Sequence, residues 1–280
     1  MERIGSESTG EDRDGRRFGP DDHAEAPLHG VPEFSDVTVK TLRKALRQGW
    51  SDLVFAPGFA LVFAGVYVLA GLFLAWLTMA TGTSYWLVLA AIGFPLISPF
   101  AAVGFYEVSR RLERGQPLDW MQIFSVILRQ SKRQLPSLCA VIVIVFLFWF
   151  FLGHMIFALF LGLAPMTNVS SSLEVFLTPN GLTMLAVGSV VGAGFATLLY
   201  MITVLALPLL LDRDVDFVTA MIASFQYVAA HPLPMFGWGV LLALVTFVAM
   251  LPAFLGLFVA LPVLGHATWH LYDLLRVDGT

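Results

Sequence analysis

Near the C-terminus, ionisable residues stand at the spacing of one helical face. In the stretch Leu261–Arg276, LPVLGHATWHLYDLLR, His266, His270 and Asp273 fall at i, i+4 and i+7. A helix would therefore present two imidazoles and a carboxylate together. Imidazoles relay protons and ligate metals or haem iron, and an ionisable group inside a bilayer is costly enough to mark a functional-site hypothesis. With Trp269 between them, His266 and His270 form the polar cluster to examine. Three readings stand open for it. The first is helix packing, with imidazole N–H groups bonded to backbone or Ser/Thr among the small residues Gly265 and Ala267. The second is a proton or substrate pathway, and the third is a pair of haem or metal ligands.

The remaining chemistry-bearing residues point to no reaction. His154 lies ~27 Å into its apolar run from the cytoplasmic end, whereas His266 lies ~20 Å from the outer face on the inner half of another run. The two do not meet at one metal centre unless a helix is broken, and no second helix offers a haem ligand at His266's depth. His231 precedes Pro232 at an element boundary, and His23 and His29 sit in a polar tail. Asp212, Asp214 and Asp216 are spaced like a cation loop but lack the EF-hand glycine and distal glutamate. Cys139 is the sole cysteine, so neither an intrachain disulfide nor a cysteine zinc site can form. No phosphate-binding loop, dinucleotide fingerprint, zinc-protease helix or nucleophile elbow is present. The expectation is a protein that is not an enzyme and holds no cofactor or metal.

The elements that must position these residues are membrane helices. Hydrophobic residues make up 58% of the 280-residue chain and charged residues 13%, with a mean hydropathy of +0.79. Soluble domains are roughly a quarter charged. Runs of about 20 apolar residues give six spans, at about 57–80, 84–108, 136–164, 182–211, 233–250 and 253–275. The fold class is therefore all-α: six transmembrane helices as three hairpins, each preceded by an amphipathic segment on the cytoplasmic side. Residues 1–35, rich in Glu, Asp, Arg, Gly and Pro, read as a disordered acidic cytoplasmic tail, and residues 36–276 as the transmembrane domain.

The first amphipathic segment sets Val39, Leu42, Leu46, Trp50 and Leu53 against Lys40, Arg43, Lys44 and Arg47, a pattern suited to the surface of an anionic bilayer. Anionic lipids at those four cations are thus the expected partners, together with membrane proteins and no nucleic acid. All sixteen Lys and Arg residues fall in the N-terminal region, the even-numbered loops or the C-terminal end. The positive-inside rule then places both termini in the cytoplasm, and a bacterial inner membrane is the natural location.

A repeat accompanies the hairpins. Each has a proline in its returning helix, Pro95, Pro208 and Pro262, and the first and third end alike, in Tyr106-Glu107-x-x-Arg110 and Tyr272-Asp273-x-x-Arg276. These endings read as cytoplasmic interface pairs: tyrosine at the boundary, the acid bonded to arginine one turn on. A paired gate is the functional alternative. The repeat assigns Asp273 to the scaffold and leaves His266, Trp269 and His270 as the feature peculiar to the last helix.

An ordered series completes the sequence evidence: Pro208-Leu-Leu-Leu-Asp-Arg213, Ala220, Ser224, His231-Pro-Leu-Pro-Met-Phe-Gly-Trp238, and Pro262-Val-Leu-Gly-His-Ala-Thr-Trp-His270-x-Tyr272. It resembles the bacterial integral-membrane family catalogued as domain of unknown function 2189, over roughly Val37 to Arg276 and most specifically in the C-terminal half. The resemblance implies a multi-span inner-membrane protein without an established activity; some members carry a cytochrome c oxidase subunit label. The function expected is that of a non-enzymatic accessory or envelope protein. A small-molecule transporter or channel is the alternative, and a haem- or metal-binding respiratory subunit the third reading.

Overall fold

The computed structural model describes residues 28–82, 86–162 and 174–277. Helices α1 (Val39–Phe55), α2 (Pro57–Thr81) and α3 (Trp86–Glu113) come first. Then follow α4 (Trp120–Gln130), α5 (Leu135–Leu161), the short α6 (Glu174–Leu177), α7 (Pro179–Thr203) and α8 (Ala206–Asp212). The chain closes with α9 (Phe217–Ala230), α10 (Pro232–Met250) and α11 (Leu257–Leu275). Among the described residues four stretches are long and apolar enough to cross a membrane: Pro57–Thr81, Leu135–Leu161, Pro179–Asp212 and Pro232–Met250. They turn large apolar side chains outward, among them Leu69, Phe148, Phe151, Val190 and Phe247, as lipid-facing helices do. By contrast, α11 is buried along most of its length and packs on α1, α2, α3 and α10.

Prolines account for the local geometry. Pro57, Pro136, Pro179 and Pro232 stand in the first turns of their helices, where a missing N–H costs nothing. Inside α3, Pro99 cannot donate to the Pro95 carbonyl, and the Ser98 hydroxyl donates there instead, at 3.2 Å. The fourth apolar run is read from sequence as one helix, but it breaks at Val204 and Leu205 between α7 and α8. Pro208 is the physical cause, since it deprives the Val204 carbonyl of its partner. Ser224 on α9 secures the break: it accepts from the Leu205 N–H at 3.1 Å and donates to the Met201 carbonyl at 2.7 Å.

Two sequence expectations are corrected. The tail does not extend to residue 35. Strand β1 (Leu28–His29) pairs with β3 (Arg213–Asp214), and β2 (Glu33–Phe34) pairs with β4 (Arg276–Val277). The Ser35 N–H and hydroxyl both donate to the Leu275 carbonyl. Residues 28–35 are thus fixed to the bundle, while residues 1–27, with His23, lie outside the described residues. The second correction concerns α1. It packs on α11 through Ala45, Gly49 and Asp52, not through the apolar stripe that spacing set against the cations, of which Val39 and Trp50 are 60% and 55% exposed. Small residues won that face because they let two backbones approach closely. Lys40, Arg43, Lys44 and Arg47 remain on the exposed side.

Candidate functional site

Close approach of α1 to α11 builds the site. A Cβ on Gly49 would lie 2.6 Å from both the Ala267 nitrogen and the Val263 oxygen, so only glycine permits this contact. One turn on, Asp52 reaches the imidazoles of α11. On α3, Ser109 and Glu113 stand at i and i+4 and so share a face. Gly265 of α11 permits the contact with α3: its missing Cβ would lie 2.8 Å from the Phe105 ring.

These helices place six side chains in one chain of hydrogen bonds. His270 bonds Glu113 Oε1 through Nδ1 at 2.8 Å and Asp52 Oδ2 through Nε2 at 2.7 Å. Ser109 Oγ donates to Asp52 Oδ2 at 2.6 Å and lies 2.8 Å from His266 Nδ1. The Trp269 indole N–H donates to Glu113 Oε2 at 2.9 Å. The network is buried along most of its length. Ser109 and His266 are fully buried, and only Glu113, with its side chain 25% exposed, opens the outer end.

The pattern assigns the protons. Both ring nitrogens of His270 face carboxylate oxygens, which the imidazolium satisfies with two N–H donors. Burial alone would raise the Asp52 carboxyl. Hydrogen bonds from His270 and Ser109, with the two nearby imidazoles, outweigh it and hold the carboxyl below the ordinary aspartate value of 3.8. An ionised Asp52 accepts the hydrogen bond from the Ser109 O–H, so the serine oxygen accepts from His266 Nδ1–H. His266 Nε2 is then left with no partner of normal geometry among the described residues; the Phe105 ring stands edge-on to it, centroids 5.3 Å apart.

Serine, histidine and aspartate are the residue types of a nucleophilic triad, but their order here is different. Serine stands between the other two, and His266 Nδ1 lies 4.0 Å from Asp52. In a triad the imidazole occupies the middle so that it can take the serine proton. The donor set does not fit haem or a metal either: both nitrogens of His270 and one of His266 are already engaged, and no group of three or more metal-binding side chains gathers among the described residues.

Of the sequence-selected residues, His266, Trp269 and His270 come together; Asp52, Ser109 and Glu113 complete the cluster and went unread. The interface pairs lie elsewhere. Glu107 binds Arg110 at 2.5 Å and Arg111 at 2.7 Å, and Asp273 binds Arg276 at 2.9 Å. Tyr106 and Tyr272, expected at a boundary, are buried within the protein. The Tyr272 hydroxyl donates to Asp212 at 2.9 Å, and Arg276 reaches the same oxygen at 2.7 Å. That contact ties α8 to α11, and Asp212 is a buried clamp rather than a solvated turn residue. Asp216 caps α9 through the Thr219 N–H. His154 is exposed on α5 and bonds the Phe150 carbonyl, His231 bonds Asp36, and Cys139 is buried and free.

No curated protein and no solved structure matches the chain. The family comparison covers α3 to α8, with Ser109, Glu113 and Asp212, and leaves the motif series from His231 to Tyr272 beyond its end. Over residues 87–212 the chain matches the family model described as predicted integral membrane protein (DUF2189).

Proposed function

We propose that the protein is a non-enzymatic accessory component of a bacterial inner membrane, a six-span bundle of three hairpins that presents a basic helix to anionic lipid on the cytoplasmic side. The observation that carries this reading is the burial of the polar network. Its groups bond one another and, Glu113 apart, are buried, so they clamp α1, α3 and α11 together rather than line a path for solute. Such buried networks fix packing in membrane interiors. The hairpin arrangement draws support from the contacts of the amphipathic helices: α4 packs on α3, α9 on α7 and α8, and α1 on α11. Each rests on the returning helix of the hairpin before it, with α1 closing the ring.

The transporter reading has one observation in its favour. The hydrogen-bond chain runs unbroken from Glu113 to His266 and ends on Nε2, which has no partner of normal geometry among the described residues, as the blind end of a proton path would. Proteoliposomes loaded with a pH-sensitive dye separate the two. The accessory reading expects proton flux equal to that of protein-free vesicles. Flux that disappears in a folded His266→Leu variant would overturn it in favour of transport.

A further inference from the structure

Along α1, residues 43, 47, 50 and 54 stand at i, i+4, i+7 and i+11, one face of the helix. Read in order they are Arg43, Arg47, Trp50 and Val54, all exposed. The stripe passes from cations through an indole to an aliphatic side chain, the sequence of chemistries met on going from headgroups to acyl chains. Lys40 and Lys44 flank it. Among the described residues none of these four cations has a carboxylate partner, in contrast to Arg110, Arg111, Arg133 and Arg276.

Trp50 is also a wall of a groove. Together with Val245 and Val248 of α10, Pro252, and Gly256 and Val259 at the α11 end, it lines a space of about 600 Å³ that is almost wholly apolar. That volume is in the range of small-ligand pockets. The unpaired cations and the apolar slot therefore meet at one residue, the former before Trp50 and the latter beyond it.

We infer that this is a binding site for one anionic phospholipid, its headgroup on Arg43 and Arg47 and an acyl chain in the groove between α1, α10 and α11. The inference rests on the reading of α1 as a lipid-facing basic helix and adds to it a defined seat. Charge complementarity selects the ligand, because a zwitterionic headgroup leaves two arginines uncompensated while a phosphatidylglycerol-type headgroup supplies a net negative charge. A surface that merely sits on anionic bilayer needs the cations alone; a seat needs the groove as well.

The test uses the full chain in nanodiscs of phosphatidylcholine containing a minor fraction of photoactivatable phosphatidylglycerol, with the diazirine on the acyl chain. Cross-linked peptides are then mapped by mass spectrometry. Adducts are expected at Trp50 and within residues 244–263, and phosphatidylcholine carrying the same diazirine should give at least fivefold less labelling there. Arg43→Gln with Arg47→Gln should reduce the phosphatidylglycerol adducts about tenfold or more, from the loss of two near-surface cations. Val248→Trp, a substitution at an exposed position, should remove the groove adducts while leaving the overall enrichment of anionic lipid around the protein unchanged. Equal labelling by the two lipids overturns the inference, as does groove labelling that survives Val248→Trp. Enrichment of anionic lipid that is indifferent to loss of the arginines overturns the underlying reading of α1 itself. Absence of groove adducts from either lipid in nanodiscs that hold two chains would show a second copy seated in the groove and also overturn it.

Discussion

Asp52 holds the site together, because it bonds Ser109 and His270 and faces His266 across 4.0 Å. Replacing Asp52 by Ala leaves the His270 imidazolium with a single carboxylate partner. Breaking a buried pair in this way costs about 3–5 kcal/mol, so the variant's thermal midpoint in detergent should fall sharply; an unchanged midpoint would show that the network contributes nothing. The pH dependence has a definite sign. The folded carboxyl lies below its ordinary value of 3.8, so its contribution is complete above that value and is lost as pH falls through the lowered one. The gap between wild type and Asp52→Asn should be constant at neutral pH and close in acid, read from melts across that range. A gap that instead closes at alkaline pH would point to the imidazoles. Sequence periodicity found His266 and His270 because they share a helix. It missed their partners because those lie 157 and 218 positions away, where only packing register brings them near. One signal was available: Asp52 is the lone acid of a basic helix and follows Ala45 and Gly49 at small-xxx-small spacing.

Glycines and a serine set the relations between elements. Gly49→Ala places a methyl 2.6 Å from backbone atoms of α11, which cannot rotate away, and should destabilise by about 1–3 kcal/mol. Gly58→Ala is the control: its added methyl would meet only Trp120, at 3.7 Å, an ordinary contact. Melting both variants side by side should separate them, and equal losses would mean that helix propensity, not the α1–α11 contact, decides. Ser224→Ala removes the group that satisfies both sides of the α7–α8 break and leaves a buried N–H and carbonyl unpaired. The expected cost is about 1–3 kcal/mol, measured in the same way, and a neutral result would show that the break needs no cap. Apolar runs were legible as helices because length and composition alone set them. The break within the fourth run was not, since Pro208 read as one of three prolines inside returning helices and the run stays apolar through it to Leu211.

At the scale of the whole molecule, short strands collect the polar ends. Pairing of β2 with β4 puts the N-terminal segment beside Arg276 and Val277, and pairing of β1 with β3 adds Arg213 and Asp214. The Arg133–Asp214 ion pair brings the α4–α5 junction to the same end. The rings of Tyr227 and Tyr272 pack edge-on against Phe34. Sequence charge bias had gathered these segments only by sign; the strands gather them in space. The opposite end carries the α10–α11 turn, where Ala253 and Phe254 adopt the left-handed region at φ 49° and 64° and Leu251 is 67% exposed. If the basic end faces the cytoplasm, as we propose from the distribution of Lys and Arg, the two ends differ in access to a membrane-impermeant maleimide. In spheroplasts of a Cys139→Ser background, Leu251→Cys should label before permeabilisation and Val277→Cys only after it. The reverse order would invert the protein in the membrane and would also place the basic face of α1 on the side away from cytoplasmic anionic lipid, so one measurement tests the orientation and the lipid reading that depends on it.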